Sequence, residues 1–430
     1  MKHQPATVFK RIRHLLLICT IAAPASVFAQ ESLTLESCLK LARENYPLIR
    51  QHDLIEKSKE YSLSNATAAY LPQINIAGQA THQSDVTQVE VPIPNVEIPS
   101  VSKDQYKVYA EIYQPVSELT TMKWNKKNEE AASAVDAQKL EVDLYQINER
   151  VQQLYFGMLL INAQLKQIEL LQNDLSSTLT RMQSLVANEV AIQADADAVK
   201  VAILQADQRK VDLEANRRAY ADMLSRFTGQ QVPADAKLQL PAGLTPSGQD
   251  IHRPETELFE RQKQRLDIQS KLVTARTLPR IGLFFQGGIG QPSPLNMLSP
   301  DLATYYIGGV RLQWPVSAFY TAGRQKKIIA INQQMIDTQR DVFLFNTQLQ
   351  ASKQNEEMTR LQGLLSRDKE IVVLRGNIKS AAKAKLENGT ITVNDYLTEV
   401  NAENRAQQDQ MLHEVQLRMA QYQYQNTLGN

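Results

Sequence analysis

From Leu140 the chain places apolar residues at Leu144, Ile147, Val151, Leu154, Met158, Ile161, Leu165 and Ile168. After a miss at Gln172 the pattern resumes at Leu175, Leu179, Met182 and Val186. Steps alternating between four and three residues are the spacing of a seam between supercoiled helices. The spacing predicts one helix from Ser117 to Val186, roughly 105 Å long at 1.5 Å per residue. Four shorter stretches alternate with period two instead. In "YLPQINIAGQA", Ile74, Ile76, Gly78 and Ala80 oppose Gln73, Asn75 and Gln79. In "YKVYAEIYQPV", Tyr106, Val108, Ala110 and Ile112 oppose Lys107, Tyr109, Glu111 and Tyr113. Ile281, Leu283 and Phe285 oppose Gly282, Phe284 and Gln286, and Tyr306, Val310, Leu312 and Trp314 oppose Arg311 and Gln313. These read as strands with one apolar and one polar face, joined in two hairpins by Pro-rich loops.

Prolines separate the two kinds of sequence. None lies between Pro115 and Pro233, and none follows Pro315. Several landmarks recur at an offset of 200: Gln114-Pro115-Val116-Ser117 with Trp314-Pro315-Val316-Ser317, Asn188 and Asp195 with Asn388 and Asp395, and Phe227-Thr228-Gly229 with Thr427-Leu428-Gly429. One module of helix, strand, loop, strand, long helix, turn and long helix is thus written twice. Repeat 1 is expected at 30–230, with a β-hairpin at about 72–116 and a helical turn at about 187–192. A linker follows at 231–250. Repeat 2 is expected at 251–430, with a β-hairpin at about 279–316 and a helical turn at about 387–392. Gly389 suits a left-handed helix cap, with Thr392 or Asn394 capping the returning helix. In the first copy Asn188 takes the glycine's role.

The first 29 residues read as a removable secretory signal: Lys2, Lys10, Arg11 and Arg13, an apolar stretch Leu15 to Ala23, then Val27-Phe28-Ala29. Ile18 before Cys19 argues against a lipid anchor. Without the signal the chain carries 43 basic and 46 acidic residues, near −3, so bulk charge recruits no nucleic acid. Cys38 alone remains, which excludes an internal disulfide. His52, His82, His252 and His413 are scattered without metal-ligand spacing. There is no nucleophile elbow, phosphate loop or dinucleotide fingerprint. No enzyme, cofactor or metal site is expected.

Secretion, lipid-ready strand faces and aromatics at the strand-to-helix junctions (Tyr113, Trp314, Phe319 and Tyr320) favour a membrane β-barrel. Four strands cannot close one, because lipid penalises every unpaired edge, so two or more chains must share it.

At this point the chain resembles the TolC-like outer-membrane efflux family. The resemblance rests on "LTLESCLKLARENYPLIRQ", the twofold helix–hairpin–helix repeat, "ENGTITVNDYLTEVNAENRAQ" and the Thr-Gly and Leu-Gly endings of the two halves. It implies a mixed α/β membrane protein of the Gram-negative outer membrane. Three copies would share a trimeric 12-stranded β-barrel, four strands per chain, continued by a long α-helical coiled-coil periplasmic tunnel. It further implies a homotrimer acting as a passive exit duct of a tripartite efflux or type I secretion system. Its partners would be a periplasmic adaptor (membrane fusion) protein, an inner-membrane RND or ABC transporter and outer-membrane lipid. By the same resemblance, Asn188, Val190, Ala191, Asn388, Gly389, Thr390 and Ile391 form adaptor-docking turns, although Glu189 departs from the family's turn pattern. Asp195 and Asp395 match a periplasmic gate of converging carboxylates, which would favour cations. Thr398 replaces a second acidic position. As N-terminal helix residues, both aspartates are equally suited to the helix dipole. The alternative is a periplasmic coiled-coil adaptor or structural interaction protein without a barrel, which would need a longer run of β-sequence.

Overall fold

The computed structural model describes residues 33–86, 100–244, 250–296 and 299–430. The expected signal at 1–29 lies outside them, as do parts of both Pro-rich loops and of the 231–250 linker. Strand β1 (Gln73–His82), β2 (Asp104–Pro115), β3 (Arg280–Gln291) and β4 (Ala303–Gln313) form one antiparallel sheet in chain order. Each strand is continuous with a helix at the same end of the sheet. Helix α2 (Gln51–Ala68) leads into β1, and β2 leads into α3 (Leu119–Tyr145). Helix α6 (Pro254–Ala275) leads into β3, and β4 leads into α7 (Phe319–Glu387). These helices pack in the strands' own order, α2 on α3, α3 on α6 and α6 on α7. Sheet and helices therefore make one single-layered wall.

The register aligns the apolar positions across the sheet: Ile74 opposite Ile112, and Ile112 opposite Phe285. That face is open, with Ile76 79% and Val310 66% exposed. On the other face Asn75, Glu111 and Gln286 share a row. There Arg311 donates to both carboxylate oxygens of Glu111, at 2.9 and 3.0 Å. These two residues are 200 positions apart, so matched sites in the two halves bind each other. Among the described residues β1 and β4 pair on one side only, which leaves two open edges.

Away from the sheet the partners change. Helix α4 (Ile147–Ala187) packs on α5 (Gln193–Thr228), α7 packs on α8 (Val393–Leu428), and α4 packs on α8. The helix expected from Ser117 to Val186 is in fact two, α3 and α4, interrupted at Gln146. The break lies where the partners switch from α2 and α6 to α5 and α8. It is also where the Tyr145 hydroxyl donates to the Asn426 carbonyl at 2.7 Å. Helix α7 runs through the same change uninterrupted for 69 residues, about 100 Å.

Helix α1 (Leu35–Asn45) starts at Thr34, whose hydroxyl accepts from the Ser37 amide at 3.2 Å. It buries Leu35, Cys38 and Ala42 against Leu144, Val151, Tyr155 and Leu224. Tyr155 Oη sits 2.7 and 2.6 Å from the carbonyls of Leu33 and Gln239, tying the chain's start to the linker. Burial pushes the Cys38 thiol up to about 12, so it is a packing residue rather than a nucleophile.

Candidate functional site: the double helical tip

The helical hairpins end in two turns of one design. At the first, Val190 N donates to Leu185 O at 2.9 Å and Glu189 N to Val186 O at 3.0 Å. At the second, Thr390 N donates to Lys385 O at 2.9 Å and Gly389 N to Leu386 O at 3.0 Å. The outer, six-to-one bonds of Val190 and Thr390 and the inner bonds of Glu189 and Gly389 together close a Schellman-type cap, which needs a left-handed residue. Gly389 supplies it with φ 68°. In the first turn the left-handed residue is Glu189, φ 60°, and not Asn188 as the sequence suggested. Asn188 still right-handedly ends its helix, its amide Nδ2 donating to Ser184 O at 2.8 Å, as Asn388 Nδ2 does to Ala384 O at 2.9 Å.

Of the expected docking residues, Val190 is 72% exposed, and Asn188, Asn388, Gly389 and Thr390 are open to solvent. Ala191 is half-buried, and Ile391 packs against the apolar cluster behind the turns. Ile192, at 67% exposure, stands beside Val190.

Both turns lie at the same end. One cluster joins Met182, Ala196 and Val199 of the first hairpin to Leu386, Val393 and Tyr396 of the second. Ion pairs cross it: Arg181 to Glu387 at 2.9 Å, and Lys379 to Asp174 at 3.0 Å and to Glu403 at 2.7 Å. Burial works against the Lys379 ammonium, but the hydrogen bonds to Glu403 and Asp174 outweigh it and hold its pKa above the ordinary lysine value. No sequence spacing announces this clamp, because its three members come from α4, α7 and α8.

Asp395 is the third residue of a capping box. Its Oδ2 accepts from Thr392 N at 3.0 Å and Thr392 Oγ1 at 2.7 Å, while Asp395 N donates to Thr392 Oγ1 at 3.2 Å. The Thr392 hydroxyl, then its amide, hold the exposed carboxyl below the usual carboxylate range. Asp195 makes half of the same arrangement, accepting from Ile192 N at 3.4 Å, because isoleucine has no hydroxyl to return. Both aspartates therefore carry a capping role. Among the described residues no group of His, Cys, Asp or Glu is arranged to hold a metal ion, and no helix is long and apolar enough to cross a membrane.

No family model and no curated protein matches the sequence. Solved structures do. The outer-membrane protein VceC of Vibrio cholerae superposes with TM-score 0.66 and 12% identity, over 92% of this chain and 96% of that one. The outer-membrane channel OprN gives 0.68 and 13%, over 92% and 89%. The MtrE outer-membrane channel of Neisseria gonorrhoeae, in its open state, gives 0.65 and 13%, over 92% and 89%. With its four-stranded sheet and its long helical hairpins, the chain has the fold of the TolC-like outer-membrane channels.

Proposed function

We propose that this protein is a passive exit duct of a Gram-negative outer membrane, and that three copies build it. The observation that carries this reading is the sheet. It has an exposed apolar face, a polar face and two open edges, and such a sheet is stable in lipid only when other chains close it into a barrel. Four strands per copy give twelve in a trimer. The wall below the sheet asks for the same partners. Along α7, Ile328, Ile331, Met335, Val342, Phe345 and Leu349 are 54–61% exposed at heptad spacing, a seam whose occupant is a helix of the next copy. The two halves of the chain would then stand in pseudosymmetric positions around the axis, as their shared element order suggests.

In this reading the tip faces the periplasm. The exposed apolar turns around Val190, Ile192 and Gly389 dock a periplasmic adaptor, which links the duct to an inner-membrane pump. Asp195 and Asp395 ring the constriction in three copies each, in addition to capping their helices. The test is the native mass of the protein extracted by detergent from purified outer membranes. A trimer from that fraction is expected. A soluble periplasmic monomer would refute the duct and leave an adaptor-like protein whose strands pack on another surface.

A further inference from the structure

Beneath the aromatic end of the sheet lies a belt of cations. Trp314 packs its ring on Phe319, centroids 6.5 Å apart, and both remain more than half exposed. Trp314 continues the apolar row of β4, so Phe319 marks the side of α7 that points the way of the sheet's apolar face. Seven residues, about two turns, beyond it on that side stands Lys326, followed by Lys327. The other half of the chain repeats this: exposed Leu119 opens α3, and Lys126 and Lys127 follow at the same spacing. Lys271 of α6 closes the gap between α3 and α7. Its Nζ lies 5.1 Å from the centre of the Trp124 ring, which Lys127 and Lys123 also approach, at 5.3 and 6.0 Å. Among the described residues none of these lysines forms an ion pair with a carboxylate. The nearby Glu118 is the partner of Arg280.

Three ammonium groups gathered on one indole, none of them in an ion pair, present positive charge that an anion would offset. Their height says which anion. The belt begins about 10 Å below the aromatic residues. A headgroup layer extends some 5–8 Å beyond the hydrocarbon, and a lysine stem spans the remaining distance by snorkelling. Because the lysine doublet is written in both halves of the chain, it would encircle the wall rather than mark one spot. We infer that this belt binds the headgroups of anionic phospholipids in the periplasm-facing leaflet, an inference that rests on the duct reading above.

The test compares the full-length protein with a Lys126→Gln, Lys127→Gln, Lys326→Gln, Lys327→Gln variant. Both are reconstituted into vesicles of equal phosphatidylethanolamine and phosphatidylglycerol. Insertion and conductance of the unaltered protein report on the duct itself. The lipids that stay bound after mild delipidation, quantified by mass spectrometry, report on the belt. The unaltered trimer should retain phosphatidylglycerol over phosphatidylethanolamine several-fold. The variant should approach parity while keeping its trimeric mass and conductance. The same lipid ratio for both proteins overturns the inference. So does an unchanged ratio with altered ion selectivity, which would place the lysines in the lumen. Failure of the unaltered protein to insert removes the duct and the belt together.

Discussion

Glu189 and Gly389 occupy one backbone conformation with opposite fitness for it. An L-residue at positive φ crowds its Cβ against the backbone, at a cost of about 1 kcal/mol, whereas glycine carries none of that penalty. A Cβ built on Gly389 would meet nothing within 4 Å, so its cost there is conformational alone. Glu189→Gly should therefore stabilise the first turn and Gly389→Ala destabilise the second, each by about 1 kcal/mol. Amide exchange at Val190 and Thr390, moving in opposite directions, would check both. The Asp395 carboxyl is depressed, so its cap is fully charged above the ordinary carboxylate pKa and is lost as pH falls through the lower folded value. If three copies also converge on the axis, Asp395→Asn should raise single-channel conductance and weaken block by multivalent cations. Unchanged conductance and block would leave Asp395 as a helix cap only. Residue chemistry was legible in the sequence where a side chain acts on its own turn. The Thr392 cap is of that kind. The strained Glu189 was not legible, since nothing local marks which non-glycine residue will yield.

At the scale of elements, the two hairpins are held together by a small apolar cluster and by ion pairs. The Lys379 clamp joins three helices, and its three side chains are 15–23% exposed. Removing the cation leaves Glu403 without an ion-pair partner in a partly desolvated site and Asp174 with only the longer contact to Lys383, at 3.7 Å. Lys379→Met should cost on the order of 1–3 kcal/mol and loosen the tip. Faster amide exchange on the α4 and α8 faces that meet there, with the sheet end unaffected, would confirm it. The apolar spacing from Leu140 to Val186 correctly marks a buried seam, since Leu140, Leu144, Ile147, Val151, Met158, Ile168, Leu175 and Met182 are all buried. It does not show that the helix carrying the seam breaks at Gln146. A heptad pattern reports that a stripe is covered, and it is silent on which helix covers it at each height.

For the whole molecule, the duct reading makes the exposed α7 stripe and the open sheet edges contacts between copies. Phe345→Asp places a charge in the middle of the stripe. It should abolish assembly, giving a monomer by native mass with helix content preserved in circular dichroism. At the other end, a Gly389→Asp, Ile391→Asp double variant should still assemble but lose export in cells. Normal export would remove adaptor docking from this turn.

The alternation of Ile74, Ile76 and Gly78 against Gln73, Asn75 and Gln79 was enough to call for strands. The same is true of the absence of proline after Pro315 for a long helix, and of the echo of Asn388 and Asp395 in Asn188 and Asp195 for twin turns. Each of these depends on a period or an offset along one chain, which sequence records directly. The order of the four strands, the bidentate bond of Arg311 to Glu111, the three-helix clamp at Lys379 and the lysines around Trp124 depend on residues as far as 205 positions apart being neighbours across a wall. Contacts of that kind arise only when packing sets the height and rotation of whole helices, and so only the tertiary structure decided them.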